Sequence, residues 1–328
     1  MKRLLVTTTL ALGTVAGAFA QSAAEAWPTR PVTIVVPYGP GSTADTVARV
    51  FTAKLQAKFK QPFIIDNKPG GGGTMGTAAV ARAPADGYTL LLTTSSPLVM
   101  SPLIDKTVKY SAENDFAPVA TLTYMTQLLV SSPDLPAKDL KELIAYVKQN
   151  PGKLSYASNG NGSYAHMEME MFKRAIGADL AHVPYKSAAQ AETDVIGKQA
   201  TLMFDSTTTA AEFVKSGRLR AYGVSTQNVD PLVPQVTPIA QQGVPALKDF
   251  DVSAWSGLLA PRATPPAIVN ALAAAIREMV ADPAFRKQML AQNHALATSD
   301  AVGGMSGMMR ADTAKWGQLV KVANIQID

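Results

Sequence analysis

Residues 32–45, VTIVVPYGPGSTAD, predict a buried strand, a glycine-rich turn and the start of a helix. The β-branched run from Val32 to Val36 is typical of a parallel strand that is buried on both faces. Ser42 is a favourable N-cap, and Asp45 follows three residues later, where a capping box places its acid. The free N–H groups of such a helix start, at the carboxyl end of a strand, are predicted to hold a carboxylate.

The first twenty residues have the composition of a secretory signal peptide. Lys2 and Arg3 precede an apolar run that ends in an A-x-A motif at residues 18–20. A membrane anchor is the alternative, but the run is short and interrupted by threonine and glycine. The leader contains no paired arginines, which favours Sec-type export in the unfolded state. The chain has no cysteine, so a lipidated cysteine anchor and disulfides are excluded.

The length and charge of the chain restrict its class. A chain of 328 residues is long enough for two domains, each with its own core. Beyond the leader, no apolar stretch reaches the roughly 18–20 residues of a membrane span. The formal net charge of +5 is too small to indicate binding to nucleic acid. We therefore expect an exported monomer that is not itself embedded in a membrane.

Strand and helix signals alternate along the chain, which predicts an α/β fold with mainly parallel sheets flanked by helices. Residues 116–130 look like two strand pieces that lead from one domain to the next, and residues 252–260 like a strand that returns. Two lobes joined in this way enclose a cleft that can close by hinge motion. The predicted limits are residues 27–123 with 250–328 for lobe 1, and residues 124–249 for lobe 2.

A second glycine-rich turn repeats the design of the first. Residues 154–157 predict a strand, residues 158–163 read SNGNGS, and a helix follows with Met167 and Phe172 on its buried face. The economical explanation is a second half-site in the second lobe. Residues 93–97, TTSSP, follow another buried strand and are predicted to form a polar loop.

The candidate binding residues lie in the two turns and at neighbouring strand ends. Carboxylate binding would fall to backbone N–H groups and hydroxyls, with bridging waters, because the turns contain no basic residue. Asp205 could contact a ligand or cap the helix that follows it, and a solvated side chain is favoured for Lys186. The candidates are Tyr38, Gly39, Gly41, Ser42, Thr43, Asp45, Thr94, Ser95, Ser96, Ser158, Asn159, Gly160, Gly162, Ser163, Tyr185, Asp205 and Ser206.

Enzymatic alternatives have weaker support. Gly39, Gly41 and Ala44 fit G-x-G-x-x-A, and Asp66 ends the next strand, as in a dinucleotide-binding fingerprint. Pro40 between the glycines and the export signal argue against an NAD(P)-dependent oxidoreductase. The chain has no G-x-S-x-G elbow, no P-loop lysine and no helical pair of zinc-binding histidines. We therefore expect no catalytic residue, no metal and no cofactor.

Several segments together resemble the receptors of the tripartite tricarboxylate transporters, also called Bug proteins. Residues 27–45 resemble the opening of these receptors, and residues 66–73, DNKPGGGG, are similar to their ENRPGAGG segment. The resemblance extends to about residue 265. Further similar segments follow in the same order: ADGYTL at 85–90, YASNGNGS at 156–163, HVPYK at 182–186 and MFD at 203–205.

The resemblance implies a periplasmic receptor with the two-lobed, type II or Venus-flytrap architecture. Such receptors deliver a small carboxylate, whether a di- or tricarboxylate, an amino acid or an aromatic acid, to the membrane subunits of a tripartite transporter. They bind the carboxylate with backbone amides and ordered waters rather than with an arginine. Ser42 and Ser187 stand where the family often has glycine, which concerns the identity of the ligand rather than the fold. An exported sensor for a signalling kinase would use the same fold.

Overall fold

Two β-sheets flanked by helices form two lobes in the computed structural model of the protein, which describes residues 27–298 and 304–323. The predicted two-lobed α/β architecture is confirmed, and both sheets are mixed rather than mainly parallel. The predicted leader, residues 1–20, lies outside the described residues. In the part of the chain that the structure describes, no helix is long and apolar enough to cross a membrane.

The first sheet has six strands in the order β11-β4-β10-β3-β1-β2. These are β1 (Val32–Val36), β2 (Phe63–Asn67), β3 (Thr89–Thr94), β4 (Phe116–Met125), β10 (Ala254–Pro261) and β11 (Ala295–Leu296). β1 pairs in parallel with β2 and β3, whereas β10 pairs antiparallel with both β3 and β4. The parallel half therefore brings the carboxyl ends of β1, β2 and β3 to one edge of the sheet.

The second sheet has five strands in the order β7-β6-β8-β5-β9. These are β5 (Gln127–Ser131), β6 (Ser155–Ser158), β7 (Ala181–Pro184), β8 (Leu202–Ser206) and β9 (Arg220–Val224). β6 pairs in parallel with β7 and β8, and β5 pairs antiparallel with β8 and β9. Both lobes therefore combine a parallel part, which carries a glycine-rich turn, with antiparallel strands that connect the lobes.

The helices cover the sheets with their apolar faces. In the first helix, Val47, Phe51 and Leu55 are buried against the six-stranded sheet, as the spacing predicts. The last helix contacts both lobes, since its Trp316 packs edge-on against Tyr164 at 5.4 Å between ring centroids. The helices are α1 (Thr43–Phe59), α2 (Thr74–Ala81), α3 (Ser101–Ile104), α4 (Leu140–Gln149), α5 (Tyr164–Ile176), α6 (Ala188–Ile196), α7 (Thr207–Lys215), α8 (Pro266–Ala281), α9 (Pro283–Ala291) and α10 (Met305–Ala323).

The prediction of a polar loop at residues 93–97 is wrong. β3 continues to Thr94, and Ser96–Met100 form a π-helical turn that leads directly into α3. Pro97 occupies the start of this turn, where its fixed φ and missing N–H are tolerated. Leu98 and the two residues after it are buried in the core. The apolar residues 98–100, which follow the polar segment and are buried, determine the helical conformation.

The chain crosses between the lobes at two places that lie side by side. It first crosses at Thr126, between β4 and β5, and it returns between β9 and β10. Ser225 connects the two crossings: its Oγ accepts from the Gln127 N–H at 3.0 Å and donates to the Val252 carbonyl at 2.7 Å. Its backbone bonds the same two residues. The residue limits of the lobes given above remain a prediction.

Replacing Ser225 by alanine should lower the free energy of unfolding by about 2 kcal/mol. The change removes two hydrogen bonds of a fully buried hydroxyl and leaves the Gln127 N–H without that acceptor. Urea unfolding followed by tryptophan fluorescence measures the loss. Ser216→Ala is the control, because this exposed hydroxyl also donates to a carbonyl but keeps water as an alternative. Equal losses in the two variants would contradict the role assigned to Ser225.

Candidate ligand-binding site

A cavity of about 610 Å³ lies between the lobes. Its volume suits a small molecule. One side is formed by the six-stranded-sheet lobe, the floor by the crossing strands and the other side by the start of α5. The lining residues are Tyr38, Ser42, Thr43, Ala44, Gly71, Gly72, Thr94, Ser95, Ser96, Ser101, Ile104 and Asp105 from the first lobe, Met125, Gln127 and Ala254 from the crossings, and Asn159, Asn161, Gly162, Ser163 and Tyr164 from the second lobe.

The structure brings both predicted turns into this one cavity. The predicted residues that line it are Tyr38, Ser42, Thr43, Thr94, Ser95, Ser96, Asn159, Gly162 and Ser163. The predicted residues outside its lining are Gly39, Gly41, Asp45, Ser158, Gly160, Tyr185, Asp205 and Ser206. Sequence reasoning missed the floor, because Met125, Gln127 and Ala254 stand in strand segments that look like core.

The first turn leaves two amides of α1 without a protein acceptor. Ser42 is the N-cap, and its Oγ accepts from the Asp45 N–H at 3.2 Å. Gly41 has a left-handed φ of 82°, and its N–H donates to Asp45 Oδ2 at 2.9 Å. Within the described ranges, the N–H groups of Thr43 and Ala44 have no acceptor, as is usual for a first helical turn. These two amides are therefore available to a bound anion.

Asp45 supports this turn and does not line the cavity. Its side chain is 1% exposed and accepts hydrogen bonds from Arg49 Nε at 2.8 Å and from Asn67 Nδ2 at 3.0 Å. Burial alone would raise the pKa of Asp45, but the bonds from Arg49, Gly41 and Asn67 outweigh it and hold the pKa below its usual value. Asn67 also donates to the Tyr38 carbonyl, so it connects the end of β2 to the turn.

The second turn repeats the first almost atom for atom. Ser163 caps α5 with φ and ψ of −66° and 162°, against −66° and 159° for Ser42. Gly162 has a φ of 69°, and its N–H donates to His166 Nδ1 at 2.9 Å, in the place that Asp45 takes in the first lobe. Both turns share the sequence G-x-G-S-x-A. Within the described chain, the Tyr164 and Ala165 N–H groups also have no acceptor.

His166 belongs to a stack of rings beneath the second turn. Its ring lies 4.0 Å from that of His182, which lies 4.8 Å from that of Tyr156. Ser158 Oγ lies 2.7 Å from His182 Nε2 and also accepts from the Gly160 N–H. Burial, aided by His166 and Lys173 and opposed by Glu170, lowers the pKa of His182 to about 4. Burial likewise lowers the pKa of His166. Both rings are therefore neutral at pH 7.

Ser95 and Tyr164 line the cavity, but their hydroxyl oxygens are fully buried and have no partner among the described residues. Buried polar atoms in native proteins are normally satisfied, so these two hydroxyls are exceptions among the described residues. Tyr38 differs, because its OH lies 2.6 Å from Thr94 Oγ1. Burial raises the pKa of Tyr38 to about 12, so its hydroxyl stays neutral.

The predicted residues of the β8 end serve the second lobe itself. Asp205 is 4% exposed and accepts from the Ser206 N–H at 2.9 Å and from Thr209 Oγ1 at 3.0 Å. Ser206 caps α7. Burial and the neighbouring Asp205 raise the pKa of Glu192 to about 8, so this carboxyl pair holds a proton at neutral pH. The sequence leaves open whether Asp205 contacts a ligand or caps the helix that follows it. The structure places Asp205 at the start of α7 and outside the cavity lining.

The charge of the cavity wall is low. Among the lining residues that the structure describes, none is a lysine, arginine or histidine, and Asp105 is the one with a formal charge. An anion in this cavity would therefore be held by neutral amides and hydroxyls. Both helix starts add the positive end of a helix dipole, since α1 and α5 begin at the cavity wall.

Comparison with known proteins identifies the family of the chain. The model of the tripartite tricarboxylate transporter family receptor matches residues 47–325. The chain belongs to this family. The resemblance found in the sequence is thus confirmed, and the protein is a receptor of the periplasmic solute-binding type.

Three solved structures are similar to this receptor over most of its length. Rpa4515 of R. palustris, solved with adipate, has a TM-score of 0.78 and 30% identity, covering 92% of this chain and 99% of that one. The periplasmic binding protein BugD has a TM-score of 0.75 and 32% identity, with coverage of 92% and 99%. MatC (Rpa3494) from Rhodopseudomonas palustris, with bound malate, has a TM-score of 0.74 and 30% identity, with coverage of 90% and 100%.

Replacing Asp45 by asparagine should destabilise the receptor by about 2 kcal/mol. The variant keeps the shape of the side chain but removes the charge that the Arg49, Asn67 and Gly41 donors share. Thermal or urea unfolding measures the change. Glu278→Gln is the control, because Glu278 forms an exposed ion pair with Lys58, which is worth less than about 1 kcal/mol. A loss no larger than that of the control would contradict the supporting role of Asp45.

The stacked histidines should make the receptor less stable as the pH falls from about 6.5 towards 4. In the unfolded chain a histidine takes up its proton near pH 6.5, whereas folded His182 does so only near 4. The unfolded state binds more protons in this window, so the stabilisation present above pH 6.5 is lost on acidification.

The melting temperature, measured from pH 8 to pH 4, tests this dependence. In the His182→Gln variant, the melting temperature should fall less between pH 6.5 and pH 4 than it does in the wild type. Glu192 acts in the opposite direction, since its raised pKa favours the folded state at low pH, but it is present in both proteins and cancels in the comparison. Identical pH profiles for the variant and the wild type would exclude His182 as the source.

Proposed function

We propose that this receptor captures a small carboxylate in the cavity between its lobes and delivers it, chemically unchanged, to the membrane subunits of a tripartite transporter. One observation carries the proposal. Two G-x-G-S-x-A turns, one from each lobe, present unpartnered first-turn amides at one cavity, and Thr43, Ala44 and Tyr164 line it. Backbone N–H groups at helix starts are suited to oxyanions. The proposed place of action is the periplasm, after removal of the predicted leader.

A carboxylate group suits these neutral donors. Each helix start offers two adjacent amides without an acceptor among the described residues, and three of the residues that carry them, Thr43, Ala44 and Tyr164, line the cavity. A carboxylate has two oxygens with about four lone-pair sites, which matches a site built from several neutral donors. The rest of the ligand would lie against Ile104, Met125 and Ala254, which provide apolar surface. The proposed ligand therefore has a short carbon chain.

The ligands of similar proteins support this class. One neighbour was solved with adipate and another with malate, which are acids of short chain length. Delivery to a transporter rests on membership of the receptor family. The receptor would act as a monomer, and bending at the two crossings that Ser225 connects would allow the lobes to close around the ligand.

A ligand screen tests the proposal directly. The purified receptor, stripped of bound ligand by mild unfolding and refolding, is heated with succinate, malate, adipate, citrate, amino acids and aromatic acids at 1 mM. A ligand with micromolar affinity should stabilise it by about 4 kcal/mol, which is visible as a rise of several degrees in melting temperature. Calorimetric titration then gives the affinity. No shift with any carboxylate would count against the proposed function.

Gly41→Ala should lower the affinity for the best ligand of that screen at least fivefold. Alanine is strained at the left-handed φ of 82°, and relief of this strain would reorient the amides that follow. Gly39→Ala is a matched control two residues away. A Cβ at either position meets no atom within 4 Å, and only Gly41 has a positive φ. The affinity of the Gly39 variant should stay within twofold of the wild type. Equal affinities for the two variants would show that the first turn does not hold the ligand.

A further inference from the structure

The second turn is fixed by a hydrogen bond to a titratable nitrogen. The buried Gly162 N–H donates to His166 Nδ1 at 2.9 Å. A ring nitrogen that accepts carries no proton, so this bond requires the tautomer of His166 with its proton on Nε2. Gly162 and Tyr164 line the cavity, whereas His166 is 9% exposed and does not. His166 can therefore act on the cavity only through the turn.

The surroundings of His166 keep its ring neutral at pH 7. The ring of His182, from β7, lies 4.0 Å away, and that of Tyr156, from β6, lies 6.3 Å away. Burial lowers the pKa of His166 from its usual 6.5, Glu170 opposes this, and Lys173 lowers the pKa further. Glu170 Oε1 already accepts from Tyr156 OH at 2.6 Å and from Lys173 Nζ at 2.7 Å. His166 therefore takes up a proton only in acid.

A proton on His166 is incompatible with the observed turn. The proton must go to Nδ1, since Nε2 already carries one, and Nδ1–H would then face the Gly162 N–H, donor against donor. The first lobe differs in this respect. Asp45 Oδ2 accepts from the Gly41 N–H at the same distance of 2.9 Å, and its hydrogen bonds hold the pKa of Asp45 below the usual value. Mild acid thus removes the acceptor of one turn and leaves that of the other.

From this geometry we infer that His166 is a positioning residue that makes ligand binding dependent on pH: its neutral ring fixes the second turn for binding, and a proton on Nδ1 releases it. The inference rests on the proposed function. A protonated ring would also add positive charge near a bound anion, which by itself would raise the affinity. The proton can be added only at the atom that accepts from Gly162, so this charge and the hydrogen bond cannot coexist.

Three variants separate the acceptor from the ring. His166→Asn offers a δ oxygen that does not titrate, and Asp45 shows that a δ oxygen at this place reaches the glycine N–H. His166→Leu fills similar space without an acceptor. His294→Asn is the control, because His294 is also buried, has a pKa lowered by burial and lies outside the cavity lining.

Calorimetric titration with malate and adipate, from pH 7.5 to pH 4.5, measures the effect. At pH 7.5, His166→Asn should bind at least fivefold more tightly than His166→Leu. As the pH falls below 6.5, the wild type should lose affinity relative to His166→Asn, by about threefold or more at pH 4.5. Titration of the acid itself is common to all proteins and cancels in this ratio. His294→Asn should follow the wild type. Melting temperatures at each pH verify that every protein is folded during the assay.

The outcomes distinguish this inference from the proposed function. A ratio that falls with pH, together with tighter binding by His166→Asn than by His166→Leu, would establish the positioning role. Parallel pH profiles for the wild type and His166→Asn, a ratio that rises in acid, or equal binding by the two His166 variants at pH 7.5 would overturn it while the proposed function stands. If no acid of the thermal screen binds the wild type at pH 7.5, the proposed function fails, and the inference fails with it.

Discussion

The binding cavity depends on one hydrogen bond made twice, from the N–H of a left-handed glycine to the side chain four residues later. Gly41 donates to Asp45 and Gly162 donates to His166. Each bond fixes the turn before a helix, so that the serine between caps the helix and the two following amides remain free. A free first-turn amide is ordinary. What is particular here is that helix starts from two separate lobes, with Thr43, Ala44 and Tyr164, meet at the wall of a single cavity.

The two lobes complete this bond with different chemistry. Asp45 is an anion close to the free amides of α1, and its charge is offset by hydrogen bonds from Arg49 and Asn67. His166 is neutral, and a neutral acceptor places no charge beside the cavity, but His166 can accept this bond only while its ring is unprotonated. Burial against His182 maintains that state. The first lobe thus uses a compensated charge that is stable over a wide range of pH, and the second uses a burial-dependent neutral group.

Local patterns predicted the elements, whereas the roles of side chains required the fold. The β-branched run gave β1 its observed limits, and Ser42 and Ser163 cap helices as their positions indicate. The shared G-x-G-S-x-A pattern is present in the sequence, and it also indicates Tyr164, which takes the position of Thr43, as a residue of the cavity wall. Asp105 could not be found in this way, because it reaches the cavity only through a π-helical turn stabilised by buried contacts. Whether a polar residue faces the cavity or supports a turn is set by partners far away in sequence.

The repeated pattern also explains why the first turn looks like a dinucleotide-binding fingerprint. G-x-G-x-x-A occurs again at the second turn, so the glycines reflect the geometry of a turn before a helix start rather than a nucleotide. Asp66, the acid of the apparent fingerprint, pairs with Lys68 at 2.8 Å on the surface. A site with no cationic side chain in its wall depends on excluding water, because neutral donors hold an anion strongly only at low dielectric. Closure of the two lobes, which is part of the proposed function, would supply that exclusion.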